Sequence, residues 1–469
     1  MVPGAETTRI SRRRFLQGLG GAFGTAALGT LLARDGHAVV APHFPARARR
    51  VIYMHMVGGT SHLDLYDPKP ALLRYDGKAC PPDLLEGKRF AFLRGEPRIK
   101  ASPYEFTRAG RAGVELSQLM PNLHGIVDDI TLVRSAQTDE FNHTQAQLFL
   151  LTGFGRFGRP SLGSWIGYGL GTENEDLPAF VALVPGQYPG AGNAVWGSGF
   201  LPTVHQGIEF RSRGEPVLFL DDPPGIDRNA RRDIVDSVKR LNQLELDEFR
   251  NPEIETRIEQ YEMSFRMQAS VPSVMSIADE PENVLDAYGA NPAKPSFAHA
   301  CLLARRLVER DVRFVQIFDT GWDHHTAIDT LLPRKCKEVD RPAAALVRDL
   351  KDRGLLDDTL VVFATEFGRT PMAQAVGMSG QKAVRVGRDH HTDAFSLWMA
   401  GGGVKAGHVY GETDELGFSV TRDPAHVHDL NATILHLLGL DHEKLTYRFQ
   451  GREYRLTDVH GKRLPGLLA

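Results

Sequence analysis

A chain of 469 residues, 42% hydrophobic and 24% charged, is long and apolar enough to bury a sizeable core, which argues against a disordered or fibrous protein. Its 55 basic and 58 acidic residues nearly cancel, and no long basic run survives beyond residue 41, so no nucleic-acid partner is expected. Cys80, Cys301 and Cys336 lie far apart without CxxC spacing, which argues against a thiolate zinc site.

The first 41 residues read as an address. Ser11-Arg12-Arg13-Arg14-Phe15-Leu16-Gln17 is a near match to the twin-arginine export consensus, with Arg12 and Arg13 as the paired arginines. Leu16 to Ala33 follows without a charge but with five glycines and two threonines, too weakly apolar for a permanent membrane span. The expected partner is therefore the twin-arginine translocation machinery, and the expected destination the periplasm or cell envelope. That route moves folded proteins, so a metal could be loaded before export.

Taken in chain order, Val51–Val57 reads as a strand stopped by Gly58-Gly59. Leu116–Asp129 has helical spacing and feeds a short strand at Ile130–Val133. Asn142–Thr152 is a helix closed by Gly153, and Pro178–Val184 a strand. Residues 185–225 are rich in Gly and Pro and read as long loops. Charged helical spacing from Asn229 to Met267 predicts two exposed helices, part of a helical insertion over about 229–290. Ser296–Arg310 is an amphipathic helix, Arg313–Phe318 a strand, Pro342–Arg353 a helix, and Thr359–Ala364 and Phe395–Met399 strands. Val427–Leu438 is a helix capped near His426. Near-continuous apolar strands alternating with helices predict an α/β, doubly wound, mostly parallel sheet over about 45–440, with residues 441–469 packed on it as a tail.

In such sheets ligands bind beyond the carboxyl ends of the strands. The polar residues there are Asp64, then Asp319, Asp323 and His325, then Glu366 and Arg369, then Arg388, Asp389 and His390. Carboxylates and imidazoles recurring at one edge suit zinc, manganese, iron or calcium. Asp319 either caps the following turn or faces the site. Glu366 is either a ligand or the ion-pair partner of Arg369. His55, inside a strand, reads as a hydrogen-bonded core histidine, and His426 and His428 as surface or packing residues.

Gly58 to Pro70, Gly321-Trp322-Asp323-His324-His325, Glu366 to Pro371, Gly387-Arg388-Asp389-His390 and Ala400 to Gly403 together resemble, in order, the domain-of-unknown-function family fifteen-oh-one. That family is a branch of the alkaline phosphatase and sulfatase superfamily. The resemblance implies an alkaline-phosphatase-like fold, one or two divalent metals at the strand ends, and a small anionic phosphate or sulfate ester as substrate. Asn142 to Gly153 is similar to the sulfatase segment that opens on the nucleophile, which puts His143 in that place and Thr144 beside it. Arg369 or Arg388 would then grip the anion. Two departures stand out: no Cys-x-Pro-Ser-Arg is present, and Gly58-Gly59 and Glu366-Phe367 replace usual metal ligands. The sequence thus predicts an exported metal-dependent hydrolase of phosphate or sulfate esters. The competing expectation is a non-catalytic envelope scaffold with a degraded metal site.

Overall fold

A computed structural model describes residues 42–469 apart from 83–84, 89, 94, 212–214, 218–221, 223–224, 250 and 377–381. The signal segment with Arg12 and Arg13 lies outside the described residues. Among the described residues no helix is long and apolar enough to cross a membrane.

The organising element is a nine-stranded sheet. Its strands are β1 (Arg50–Val57), β2 (Ile130–Gln137), β3 (Phe180–Leu183), β4 (Ile208–Phe210), β5 (Phe314–Thr320), β6 (Thr359–Ala364), β9 (Phe395–Ala400), β10 (His408–Tyr410) and β11 (Ala425–His426). Between β6 and β9 comes an antiparallel hairpin of β7 (Gly368–Val376) and β8 (Lys382–His391). Across the large sheet the order is β10-β2-β9-β6-β1-β5-β3-β4, with β11 also paired to β2. Every pairing in it is parallel except the two made by β9. The fold is therefore the mostly parallel α/β sheet expected.

Alternation along β1 shows why both faces are covered. Ile52, Met54 and Met56 point into one apolar cluster, and Val51, Tyr53 and Val57 into another. Helices α6 (Phe297–Val308) and α7 (Ile328–Asp352) supply the first. Helices α1 (His143–Thr152), α2 (Leu162–Leu170) and α8 (Val427–Leu437) supply the second. The predicted helix pair is present as α3 (Arg228–Phe249) and α4 (Pro252–Met275), but α4 is not exposed throughout, because Met267, Val271 and Val274 are buried in the first cluster. In the tail, Leu456, Leu464 and Leu467 are buried in the second cluster.

Three expectations are corrected. The helix expected to begin at Pro342 begins at Ile328 and runs through Pro333 and Pro342. Leu332, Cys336, Val339 and Ala343 form a buried stripe at helical spacing, and its packing outweighs the cost of the prolines. The segment Leu116–Asp129 is not one helix. Val114–Ser117 pairs as a strand with Phe106–Ala109, and Pro121 opens a separate short helix. Finally, Arg388, Asp389 and His390, expected beyond a strand end, lie within strand β8, where Arg369 and His390 stand opposite each other.

Candidate metal centre

The site is built at the carboxyl edge of β1, β5 and β6. There Gly58, at φ 128°, lets the loop after β5 approach, since a Cβ at this position would lie 2.5 Å from the Asp323 nitrogen. Four side chains converge: His143 at the start of α1, Asp323 and His325 beyond β5, and His390 on β8. Their donor atoms all lie within 4.8 Å of one another. His325 Nε2 is 2.8 Å from His390 Nε2 and 2.8 Å from Asp323 Oδ1. His143 Nε2 and His390 Nε2 lie 3.2 and 3.4 Å from that same oxygen.

The outer nitrogens explain why the inner ones converge. His390 Nδ1 donates to the Phe141 carbonyl at 2.6 Å, His143 Nδ1 to Glu366 at 2.8 Å, and His325 Nδ1 to Gln374 Oε1 at 2.6 Å. A carbonyl and a carboxylate only accept, so these contacts place the protons on Nδ1 and aim the Nε2 lone pairs inward. Two imidazole lone pairs 2.8 Å apart repel unless a proton or a metal ion joins them. Around a tetrahedral ion with bonds of about 2.0–2.1 Å, donors sit about 3.3 Å apart, close to the separations here. The residues thus fit a metal ion. Three nitrogens and one oxygen suit zinc, manganese or iron and not calcium, which takes six to eight oxygens.

Electrostatics agree. Burial opposes ionisation of Asp323, but hydrogen bonds with His143, His325 and His390 and the charge of Arg369 hold it far below the usual carboxylate range. Glu366, wholly buried, is likewise held down against burial by His143 and His55. Burial would lower His143, but Asp323 and Glu366 outweigh it and raise its pKa to about 9. Burial, with the charge of Arg369, pushes His390 down.

Of the residues expected at the site, several stand elsewhere. Asp64 stands apart from the four convergent donors: it receives Arg388 Nε and Nη2 at 2.9 and 3.1 Å, and the Ser61 hydroxyl at 2.6 Å. Arg388 gives Nη1 to the Lys100 and Thr370 carbonyls, so protein acceptors take four of its five N–H donors. Arg369, fully buried, binds Asp323 at 2.7 Å and the carbonyls of Gly58, Gly59 and Arg388, and serves as counter-charge. Asp319 accepts from Trp322 Nε1 and Lys335, both side chains, and is not among the four convergent donors. Asp389 accepts the backbone N–H groups of Phe92, Leu93 and His390. Glu366 is not among the four convergent donors; it also receives the Gly58 N–H and lies 3.2 Å from His55. His143 Nδ1 is held by Glu366, while Nε2 faces the cluster 3.2 Å from Asp323 Oδ1, a geometry that suits a ligand. Thr144 follows it, with its hydroxyl against Gly190.

Sequence reasoning missed Gln374 and the Phe141 carbonyl as outer partners, and Phe92, whose ring meets His325 edge-on at 4.8 Å. The register Arg369↔His390, readable once the hairpin is recognised, was the available signal. His426 caps α8 by accepting from the His428 N–H and pairs with Asp139 at 3.3 Å.

Residues 48–468 match the family model described as protein of unknown function, DUF1501. The chain belongs to this family. No curated protein sequence matches it. Several solved structures align with this DUF1501 member at low identity. The lipoteichoic acid synthase LtaP from Listeria monocytogenes is 12% identical, with 94% of this chain and 82% of that one covered and a TM-score of 0.37. A sulfatase, PsFucS1 from Pseudoalteromonas sp., is 14% identical over 89% and 70%, with a TM-score of 0.35. The alkaline phosphatase from the Antarctic bacterium TAB5 is 9% identical over 83% and 98%, with a TM-score of 0.34.

Proposed function

We propose that this chain is an exported, metal-dependent hydrolase of phosphate or sulfate esters. The observation that carries the reading is the convergence of three imidazole nitrogens and one carboxylate, each imidazole fixed from behind. Outer-partner fixation of this kind is what metal-binding histidines require. His143, Asp323, His325 and His390 would hold the ion. Arg369 offsets the charge of Asp323, and Glu366 fixes the ring of His143. A bound ion would supply a Lewis acid for the ester oxygen and lower the pKa of water. With His143 Nε2 on the ion, Thr144 and solvent water would be the nucleophiles left.

One observation favours the scaffold reading instead. Arg369 and Arg388 are both occupied by protein acceptors, so neither offers an open fork to an ester anion. Metal analysis of protein exported by its own signal, followed by aryl phosphates, phosphodiesters and aryl sulfates, separates the two. Stoichiometric metal with turnover supports the hydrolase, and an inert, metal-free protein the scaffold. Export rests on Arg12 and Arg13, which the receptor would read through their guanidinium groups. Replacing both by Lys should hold the protein in the cytoplasm. Normal export of that double variant would refute the twin-arginine route.

A further inference from the structure

The metal centre is covered unevenly. The side chains of Asp323 and His143 are 33% and 25% exposed, whereas those of His325 and His390 are 3% exposed each. Two phenylalanines lie against the buried pair. Phe367, fully buried, meets His390 from the interior at 4.4 Å between ring centres. Phe92 stands edge-on to both, 4.8 Å from His325 and 5.8 Å from His390, and is itself only half-buried. A half-buried ring against two buried ones is the layer between them and solvent.

Strand β8 fixes that ring in place. The Asp389 carboxylate, wholly buried one residue before His390, accepts the Phe92 and Leu93 N–H groups at 2.7 and 2.8 Å. Bonds to an ionised acceptor are roughly twice as strong as neutral ones. Phe90 and Leu93 pack on the small apolar cluster of Ile99, Met372 and Phe418, and Lys88 pairs with Asp393. The backbone is thus held on both sides of Phe92, and its ring is left to the histidines. We propose that Phe92 seals the centre on its His325–His390 side, so that an ion and any ester it acts on reach the donors past His143 and Asp323. This rests on the metal reading of the site. Phe92 is a positioning residue: an apolar shell controls which side of a metal centre water can reach.

Diethyl pyrocarbonate, which acylates accessible neutral imidazoles, tests the seal in the metal-free chain. Peptide mapping should find the exposed His460 modified and His325 and His390 protected. Phe92→Ala should raise modification of that pair at least about 10-fold and leave His460 unchanged. Phe92→Leu, which keeps an apolar cover, should restore most of the protection. The zinc-loaded chain should release its ion to a chelator about 10-fold faster in Phe92→Ala. Asp389→Asn, which weakens the hold on the Phe92 N–H, should reproduce both changes. The buried His55 and His62 should stay protected throughout; their modification in Phe92→Ala would mean general loosening and overturns the seal. Native His325 and His390 that react as fast as His460 also overturn it, as do unchanged modification and zinc release in Phe92→Ala. A native chain that takes up no zinc overturns instead the metal reading, and with it the route for an ion.

Discussion

The Glu366 carboxylate accepts a 2.8 Å hydrogen bond from His143 Nδ1 and so stands one bond behind the convergent donors. Its other oxygen lies 3.2 Å from His55 Nε2, on the central strand β1. The ring of His143 is thereby tied to the middle of the sheet.

Glu366→Gln tests that tie. The amide keeps the shape but loses the charge that fixes His143, so metal affinity should fall about 10–100-fold with the fold intact. Chelator competition measures it. An unchanged affinity would mean that Glu366 is only a buried counter-ion.

Asp64 and His390 should separate stability from metal binding. Asp64→Ala strands the buried Arg388 guanidinium and should cost about 3–5 kcal/mol without altering metal stoichiometry. His390→Ala should abolish stoichiometric metal while the protein remains folded. Denaturant melts with metal analysis on both variants give the answer, and metal loss in Asp64→Ala would restore Asp64 as a ligand.

Metal binding should be linked to a proton. In the metal-free protein His143 holds one up to a pKa of about 9, through hydrogen bonds that overcome its burial. An ion on Nε2 must displace that proton, so below about pH 9 affinity should fall about tenfold for each unit of acidification. Competition titrations from pH 6 to 9 would show the slope, and a flat profile would rule out His143 as a ligand.

Acid stability should depend on His62. Burial, with the neighbouring His391, lowers its pKa to about 4 from 6.5. Between those values the unfolded chain binds a proton that the folded one refuses, so stability falls as pH falls through the window, by at most about 3 kcal/mol. His62→Gln retains a donor for the Gly417 carbonyl, which His62 Nε2 reaches at 3.0 Å. That variant should show a shallower loss in chemical denaturation at pH 4.5 against pH 7; an identical loss would discard this account.

The strands and helices of the large sheet are legible because their side chains meet oil. Runs such as Thr359–Ala364, buried throughout, announce themselves by composition. The β7–β8 hairpin is not legible, because Arg369, Arg388 and Asp389 are buried against polar partners rather than a hydrophobic face. Its strands carry no apolar alternation to read. The same cause separates the ligand candidates. Asp323 and Asp64 are both acids beyond strands and both pair with an arginine, and only the three imidazoles around Asp323 set it apart as the candidate ligand. Residue type predicted which groups would be costly to bury, and tertiary placement decided how each cost is met.

Strand β1 lies between β5 and β6, with Val51 paired to Phe314 on one side and Leu360 on the other. During synthesis the first strand of the sheet thus has neither neighbour until most of the chain has left the ribosome. His390 emerges later still. No nascent fragment ending before it can assemble all four convergent side chains. Until then β1 exposes two unpaired edges of apolar sequence, and this long wait for distant partners is the point at which aggregation competes with folding.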